Sequence, residues 1–361
     1  MKKIYLSIIS IALALCLTFS VAGCSSKPFL SFNSNFNGAG DNGTSLLGLK
    51  EVTTYTVELD DNYNEQIKKL DAIKDSVAKY TFSKGQYVQT LVVESYFPAD
   101  TLGVTTDIPV EGEVFHLTTL LTIDVEYTIN GEQTPYEHTD VVETECYFLS
   151  SGMSFEPLYS KMKLDNTYLS LNDSFSAAAS LMGYYEHTTI YNQKNYTLKS
   201  IAVEKSTKES DKEVTPRATE KTYNYESRKV IDNAQLLFAL RNVEVPEKNP
   251  IELPVISPSY GVDKTLRITN KDSSTARQEI TYNGHKETLE IPVMNYNFII
   301  AATENTGSYH YMNYPKSEVA DKLPNRTLLV EYASPLISFG AFGCLGALVY
   351  KLNSVEVTSA N

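Results

Sequence analysis

Apolar and polar residues alternate with a period of two along much of this chain, the pattern of strands with one wet face. Tyr55, Val57 and Leu59 alternate with Thr54, Thr56 and Glu58. Gln86–Phe97 reads the same way, and Pro98, which has no N–H for a ladder, stops it. In the clearest case Phe115, Leu117, Leu121, Ile123, Val125, Tyr127 and Ile129 share one face, and His116, Thr118, Thr122, Asp124 and Glu126 share the other. Asn130-Gly131 then supplies the two positive-φ residues of a tight turn, with a return strand from about Glu132 to Leu149. That register sets Phe115 opposite Cys146, and His116 opposite Glu145 on the wet side.

Two segments change period. Asn62–Tyr80 has helical spacing, with Ile67, Leu70, Ile73, Val77 and Tyr80 on one side. Asp232, with Gln235 three residues on and Leu236, Leu237 and Leu240 after it, reads as the capping box of a short helix. Beyond it, Val262–Asn270 and Thr275–Tyr282 flank a polar turn, and Asn283-Gly284 makes a second hairpin into Glu287–Val293. Further strands are predicted at Phe298–Ala302, Thr327–Tyr332 and Ala347–Val357. The expected fold class is mainly β: curved antiparallel sheets, open-barrel or sandwich-like, with a few short helices.

The N-terminus has a different logic. Lys2 and Lys3 precede an apolar run from Ile4 to Phe19, and Val21-Ala22-Gly23-Cys24 follow. A basic start, a short apolar core and small residues at a cut site describe an export signal. The run is shorter than the roughly 20 residues of a spanning helix. This stretch resembles the lipobox of bacterial lipoproteins, which implies cleavage of residues 1–23, diacylglyceryl modification of the Cys24 thiol, and a chain held by lipid outside the cytoplasm. The membrane, through Cys24, is the expected partner. It would be the cell membrane, or the outer membrane where the source has one. Residues 24–48, rich in Ser, Asn and Gly, are expected to act as a tether.

Cleavage removes two of the 31 basic residues and none of the 44 acidic ones, so the net charge moves from −13 to −15. Such a surface excludes a nucleic-acid partner, whose phosphates need a basic patch. It also leaves attachment to the lipid rather than to surface charge. The 25 Tyr and absence of Trp fit half-buried sheet surfaces better than sugar-stacking platforms. The charge-dense, apolar-poor stretch Ser206–Lys221 is the best boundary between a half at 49–205, with its helix near 62–80, and a half at 220–361, unless both form one domain. Pro335–Tyr350 is apolar, but its length and its glycines at 340, 343 and 346 favour buried strand over an anchor.

Candidate chemistry is sparse. The histidines at 116, 138, 187, 285 and 310 form no metal-ligand spacing, and no nucleophile elbow or phosphate loop occurs. No cofactor, metal site or catalytic residue is assigned. Asp60, Asn62 and Asn64 imitate a calcium loop, but Glu65 stands where its turn glycine belongs. Cys146 and Cys344 either pair in an oxidising compartment or serve as two buried hydrophobes. The weak ligand candidates are His138 and Asp140. A strict hairpin register puts both on the apolar face, opposite Ile123 and Leu121, while a bulge at Pro135 would return them to water, and the pattern favours the bulge. Tyr309-His310-Tyr311 with Tyr314 lines an opening or packs around a loop.

Two stretches carry a resemblance: Ile231-Asp-Asn-Ala-Gln-Leu-Leu-Phe-Ala-Leu-Arg241 with Ile251-Glu-Leu-Pro-Val255, and Leu323-Pro-Asn-Arg326 with Gly346-Ala-Leu-Val-Tyr-Lys-Leu352. Residues 220–361 resemble a family of exported bacterial proteins catalogued as a domain of unknown function. The resemblance implies a curved antiparallel sheet, or an open barrel, and transfers no activity. The functional expectation is a lipid-anchored binding or scaffold module for an apolar ligand or an envelope partner. The alternative is an envelope enzyme using carboxylates and His138.

Overall fold

The computed structural model describes residues 46–59, 77–104, 113–129, 136–150, 155–167, 182–206, 217–225, 230–240, 247–257, 261–301, 307–315, 329–332 and 348–358. Outside them lie the export signal, Cys24, most of the tether, the calcium-like loop, Asn130-Gly131, Pro135 and Cys344. The chain enters as β1 (Lys50–Leu59), β2 (Val77–Glu94), the one-turn helix α1 (Ala99–Leu102), β3 (Val114–Ile129), β4 (Tyr136–Ser150) and β5 (Phe155–Thr167). It continues through β6 (Met182–Asn192), β7 (Thr197–Ser206), β8 (Arg217–Asn224) and the two-residue β9 (Ile231–Asp232) into a 3-10 turn and the helix α2 (Leu236–Leu240). The last strands are β10 (Ile251–Ser257), β11 (Gly261–Tyr282), β12 (His285–Ala301), β13 (Gly307–Pro315), β14 (Leu329–Tyr332) and β15 (Leu348–Thr358).

All fifteen strands join one sheet, in the order β8-β7-β6-β5-β4-β3-β2-β1-β15-β14-β13-β12-β11-β10-β9. Pairing is antiparallel except between β9 and β10 and where the end of β11 meets β15. The sheet does not close, but it curls until faces distant in the order share one core. Tyr55 and Val57 of β1, Leu91 of β2, Leu117 of β3, Phe148 of β4, Phe155 of β5, Val255 of β10, Ile268 of β11 and Leu352 of β15 are all buried in it. Helix α2 fills the centre. Phe238 has no exposed surface and lies 5.5 Å from the ring of Phe148 and 5.7 Å from that of Phe155.

The capping box predicted at Asp232 is present: its carboxylate accepts from Ala234 N at 2.7 Å, and its own N–H donates to Gln235 Oε1 at 2.8 Å. The Asn283-Gly284 turn also forms, with φ of 46° and 81°. The Asn283 N–H then donates to Val355 O, tying the hairpin tip to β15.

Several expectations need correction. The β3–β4 register is two residues off the one a tight Asn-Gly turn would give, so Phe115 faces Phe148, and Asp140 and His138 stand opposite Ile123 and Val125. The pairing runs from Val114↔Leu149 to Tyr127↔Tyr136 with no irregularity. A slip of two keeps every side chain on its face, so the alternation alone could not detect it. Val77–Tyr80, the end of the predicted helix, is strand, and 60–76 lies outside the described residues.

Of the charged stretch 206–221, Ser206 ends β7 and Arg217–Lys221 belong to β8, its antiparallel neighbour with Glu204↔Arg217 paired, while 207–216 lies outside the described residues; the described strands on both sides of it share one sheet. Lys271–Ser274 is exposed as expected but does not turn the chain. β11 runs on through it with one register shift, because β12 supplies its ladder partners. Predicted strands 287–293 and 298–302 likewise merge in β12.

Candidate functional site

β2 ends at Glu94, three residues short of the predicted Phe97, and after Pro98 the chain makes one helical turn that Gly103 closes in the left-handed conformation, φ 66°. Gly103 N donates to Asp100 O and Val104 N to Ala99 O, the two hydrogen bonds of a Schellman cap. This turn lies on the outer face of the sheet, over a second small core of Phe97, Val104, Val114, Tyr147, Leu158 and Tyr159. Alternation assigned that face to water. The continuous apolar run Cys146-Tyr147-Phe148-Leu149 was the signal that both faces of β4 are covered here.

Beside α1 the outer face opens into a groove of about 540 Å3, within the range of ligand pockets, roughly 300–1,000 Å3. Thr90 and Val88 of β2, Thr118 and Leu120 of β3 and Leu102 of α1 line it, with Glu143, Glu145, Lys161 and Lys163 from β4 and β5. Leu120 is 39% exposed, unusual for a large apolar side chain in mid-sheet. Both lysines are already paired: Lys161 Nζ meets Glu186 of β6 at 2.7 Å and Lys163 Nζ meets Glu143 at 3.6 Å.

His116 was expected opposite Glu145. It pairs in register with Tyr147, and its ring stacks on that ring at 4.1 Å with 9° between planes. The expected contact still forms, on the diagonal: Nε2 lies 3.0 Å from Glu145 Oε1, and Nδ1 lies 3.4 Å from Glu94 Oε1. The His116 hydrogen bond is the main reason the Glu145 carboxyl is held below its ordinary value. Desolvation, with Glu145 and Glu94 close by, pushes the Tyr147 hydroxyl well up, and burial brings Tyr159 to about 12.

His138 and Asp140 have the β4 positions given above, and their side chains lie outside the described residues. Tyr309, His310, Tyr311 and Tyr314 are β13 positions rather than a loop. Cys146 is a buried free thiol whose ionisation is pushed far up by desolvation, so it is inert as a nucleophile. Among the described residues no three His, Cys, Asp or Glu side chains are placed to hold a metal ion, and no helix is long and apolar enough to cross a membrane.

A buried polar cluster escaped the sequence entirely. Asp232 is 3% exposed and, besides capping, accepts from Ser160 Oγ of β5 at 2.6 Å and from the Tyr191 hydroxyl of β6. Burial raises its carboxyl above the ordinary 3.8, against the lowering effect of those donors. The partners are 72 and 41 residues away along the chain.

No family model matches the chain, so the family resemblance of residues 220–361 finds no matching model, and no curated relative matches either. Among solved structures there is a likeness to a β-barrel-like protein of domain of unknown function DUF1849 from Brucella abortus, at 7% identity and a TM-score of 0.39. It covers 88% of this chain and 100% of that one.

Proposed function

We propose that this chain is a lipoprotein anchored through Cys24, whose domain is a binding or scaffold module that takes an apolar ligand or a segment of an envelope partner in the outer groove of β2–β5. The observation that supports this most is where the space lies. Phe148, Phe155 and Phe238 occupy the centre of the curl, whereas the groove on the outer face has an apolar and threonine-lined floor with an exposed leucine. Charges that satisfy one another at its rim suit an uncharged occupant, since a charged one would have to break existing pairs. Beside the groove, both ring nitrogens of His116 already face carboxylates, which leaves this histidine no nitrogen for a substrate proton.

Native mass spectrometry and photo-crosslinking of the membrane-derived protein test this, comparing wild type with Leu120→Arg. A ligand or crosslinked partner present in wild type and lost in Leu120→Arg is the expected result. A small molecule released by denaturation and retained equally by both proteins would place the ligand elsewhere than the groove and overturn this reading. Anchoring is read in parallel: Cys24→Ser should lose the lipid mass and leave the membrane fraction.

A further inference from the structure

Ahead of β1 the chain makes a β-turn. Leu49 N donates to Leu46 O at 2.9 Å, and Gly48, with φ of 78°, takes the third position, where a type II turn needs a positive φ. Leu47 is left at the corner, 44% exposed. The turn is held on two sides: Leu46 N donates to Glu113 Oε1 at 2.5 Å, and Gly48 N donates to Val93 O at 2.9 Å.

Val93 lies one residue before the end of β2, so the chain leaves that strand beside the turn. Tyr96 follows, 64% exposed, and Phe97 then points into the small core under α1. Ala99 N donates to Phe97 O at 2.8 Å, which fixes the backbone that carries the Tyr96 ring. Among the described residues the large apolar side chains that stand exposed are Leu47, Tyr96 and Leu120. Leu120 belongs to the outer groove, whereas Leu47 and Tyr96 share one end of the sheet. The same end receives the chain from Cys24, which Leu46 follows by 22 positions, a reach of at most about 75 Å.

We propose that this end of the sheet rests on the lipid surface of the anchoring membrane, with Tyr96 and Leu47 seated among the headgroups, an inference that rests on the reading of Cys24 as the anchor. Tyrosine suits that depth, because its ring is apolar and its hydroxyl stays wet. Two such side chains hold a free protein only weakly at a bilayer. A lipid already in the membrane makes their contact intramolecular and raises its effective concentration. A protein partner fits less well, since two side chains fall far short of the roughly 800 Å2 that each side of a stable interface gives up. Attraction to anionic headgroups adds nothing: the charged residues of this end are Lys50 against Glu94, Asp100 and Glu113. The matching surface is therefore zwitterionic lipid.

The chain contains no tryptophan, so Tyr96→Trp introduces a single indole. The lipidated protein carrying it is reconstituted into phosphatidylcholine vesicles with brominated acyl chains, which quench an indole they reach. Leu120→Trp, on the outer face, is the comparison, and both positions are exposed enough to take the larger ring. Brominated lipid should lower the emission of Tyr96→Trp roughly two-fold, as for an aromatic ring at the interface, and leave that of Leu120→Trp unchanged. Adding Leu47→Asp to Tyr96→Trp should restore the emission. Unquenched Tyr96→Trp in protein whose mass includes the Cys24 lipid overturns the docking and leaves the anchor standing. Protein without that lipid mass overturns the anchor, and the docking with it. Equal quenching of Tyr96→Trp and Leu120→Trp would lay the domain on its outer face and overturn it too. So would a photo-crosslinker at position 96 that joins a protein rather than lipid in intact cells.

Discussion

A single substitution at Asp232 removes several buried contacts at once. Three donors converge on its carboxylate: Ser160 Oγ at 2.6 Å, the Tyr191 hydroxyl, and Ala234 N at 2.7 Å. Asp232→Ala removes the cap of the turn into α2, worth about 1 kcal/mol. It also strands two hydroxyls in a buried site, at about 1–3 kcal/mol each. Against this, the variant no longer buries a carboxyl that desolvation disfavours in its charged form. The balance is a loss of about 3–5 kcal/mol, a large share of the roughly 5–15 kcal/mol that holds an ordinary domain together.

Asp232→Asn separates charge from shape. The folded pKa of Asp232 is raised above 3.8, so the fold favours the neutral acid. The acid's contribution to stability is fully present below pH 3.8 and is lost as pH rises through the raised value. The advantage of wild type over Asp232→Asn should therefore be greatest in acid and shrink towards neutrality. Urea unfolding followed by far-UV circular dichroism, from about pH 3.5 to 7.5, reads both variants. A difference that stays flat or widens as pH rises would refute the desolvation argument. An Asp232→Ala cost under about 1 kcal/mol would refute the claim that the cluster holds α2 in place.

Two further outcomes follow from the same geometry. Phe238→Ala empties the centre of the curl and should cost about 3–5 kcal/mol by urea midpoint, whereas a cost below about 1 would mean the interior is not filled as described. His116→Gln removes the largest influence lowering Glu145, so carboxyl-detected NMR should show its pKa rising towards 4.5. Stability that Glu145 contributes above 4.5, and loses as pH falls through its lowered value, should shrink with it. A Glu145 titration identical to wild type would refute the pairing.

The parts of the fold visible in advance share a cause. β1, β3, the capping box and the Asn283-Gly284 turn are each decided by residues within one element or one turn, and their patterns carry the reason: alternation for a half-buried strand, a side-chain acceptor for orphan N–H groups, positive φ for a hairpin. Charge at 271–274 correctly marked exposure, but whether an exposed stretch turns the chain or stays in a ladder depends on the strand beside it. Of the site, His116 and Glu145 could be named because they lie on one predicted hairpin.

The outer groove and the Asp232 cluster had no such local trace. Each draws its walls from elements brought together by the curl of the sheet. Strand pattern specifies which face is buried, yet it leaves open which distant strand buries it, because hydrophobic attraction is non-directional and a register slip of two leaves every side chain on its own face. Local chemistry accordingly decided the strands, the caps and the turns along this chain. The order of the sheet, the helix within it and the concavities outside it were decided by packing between residues tens to hundreds of positions apart.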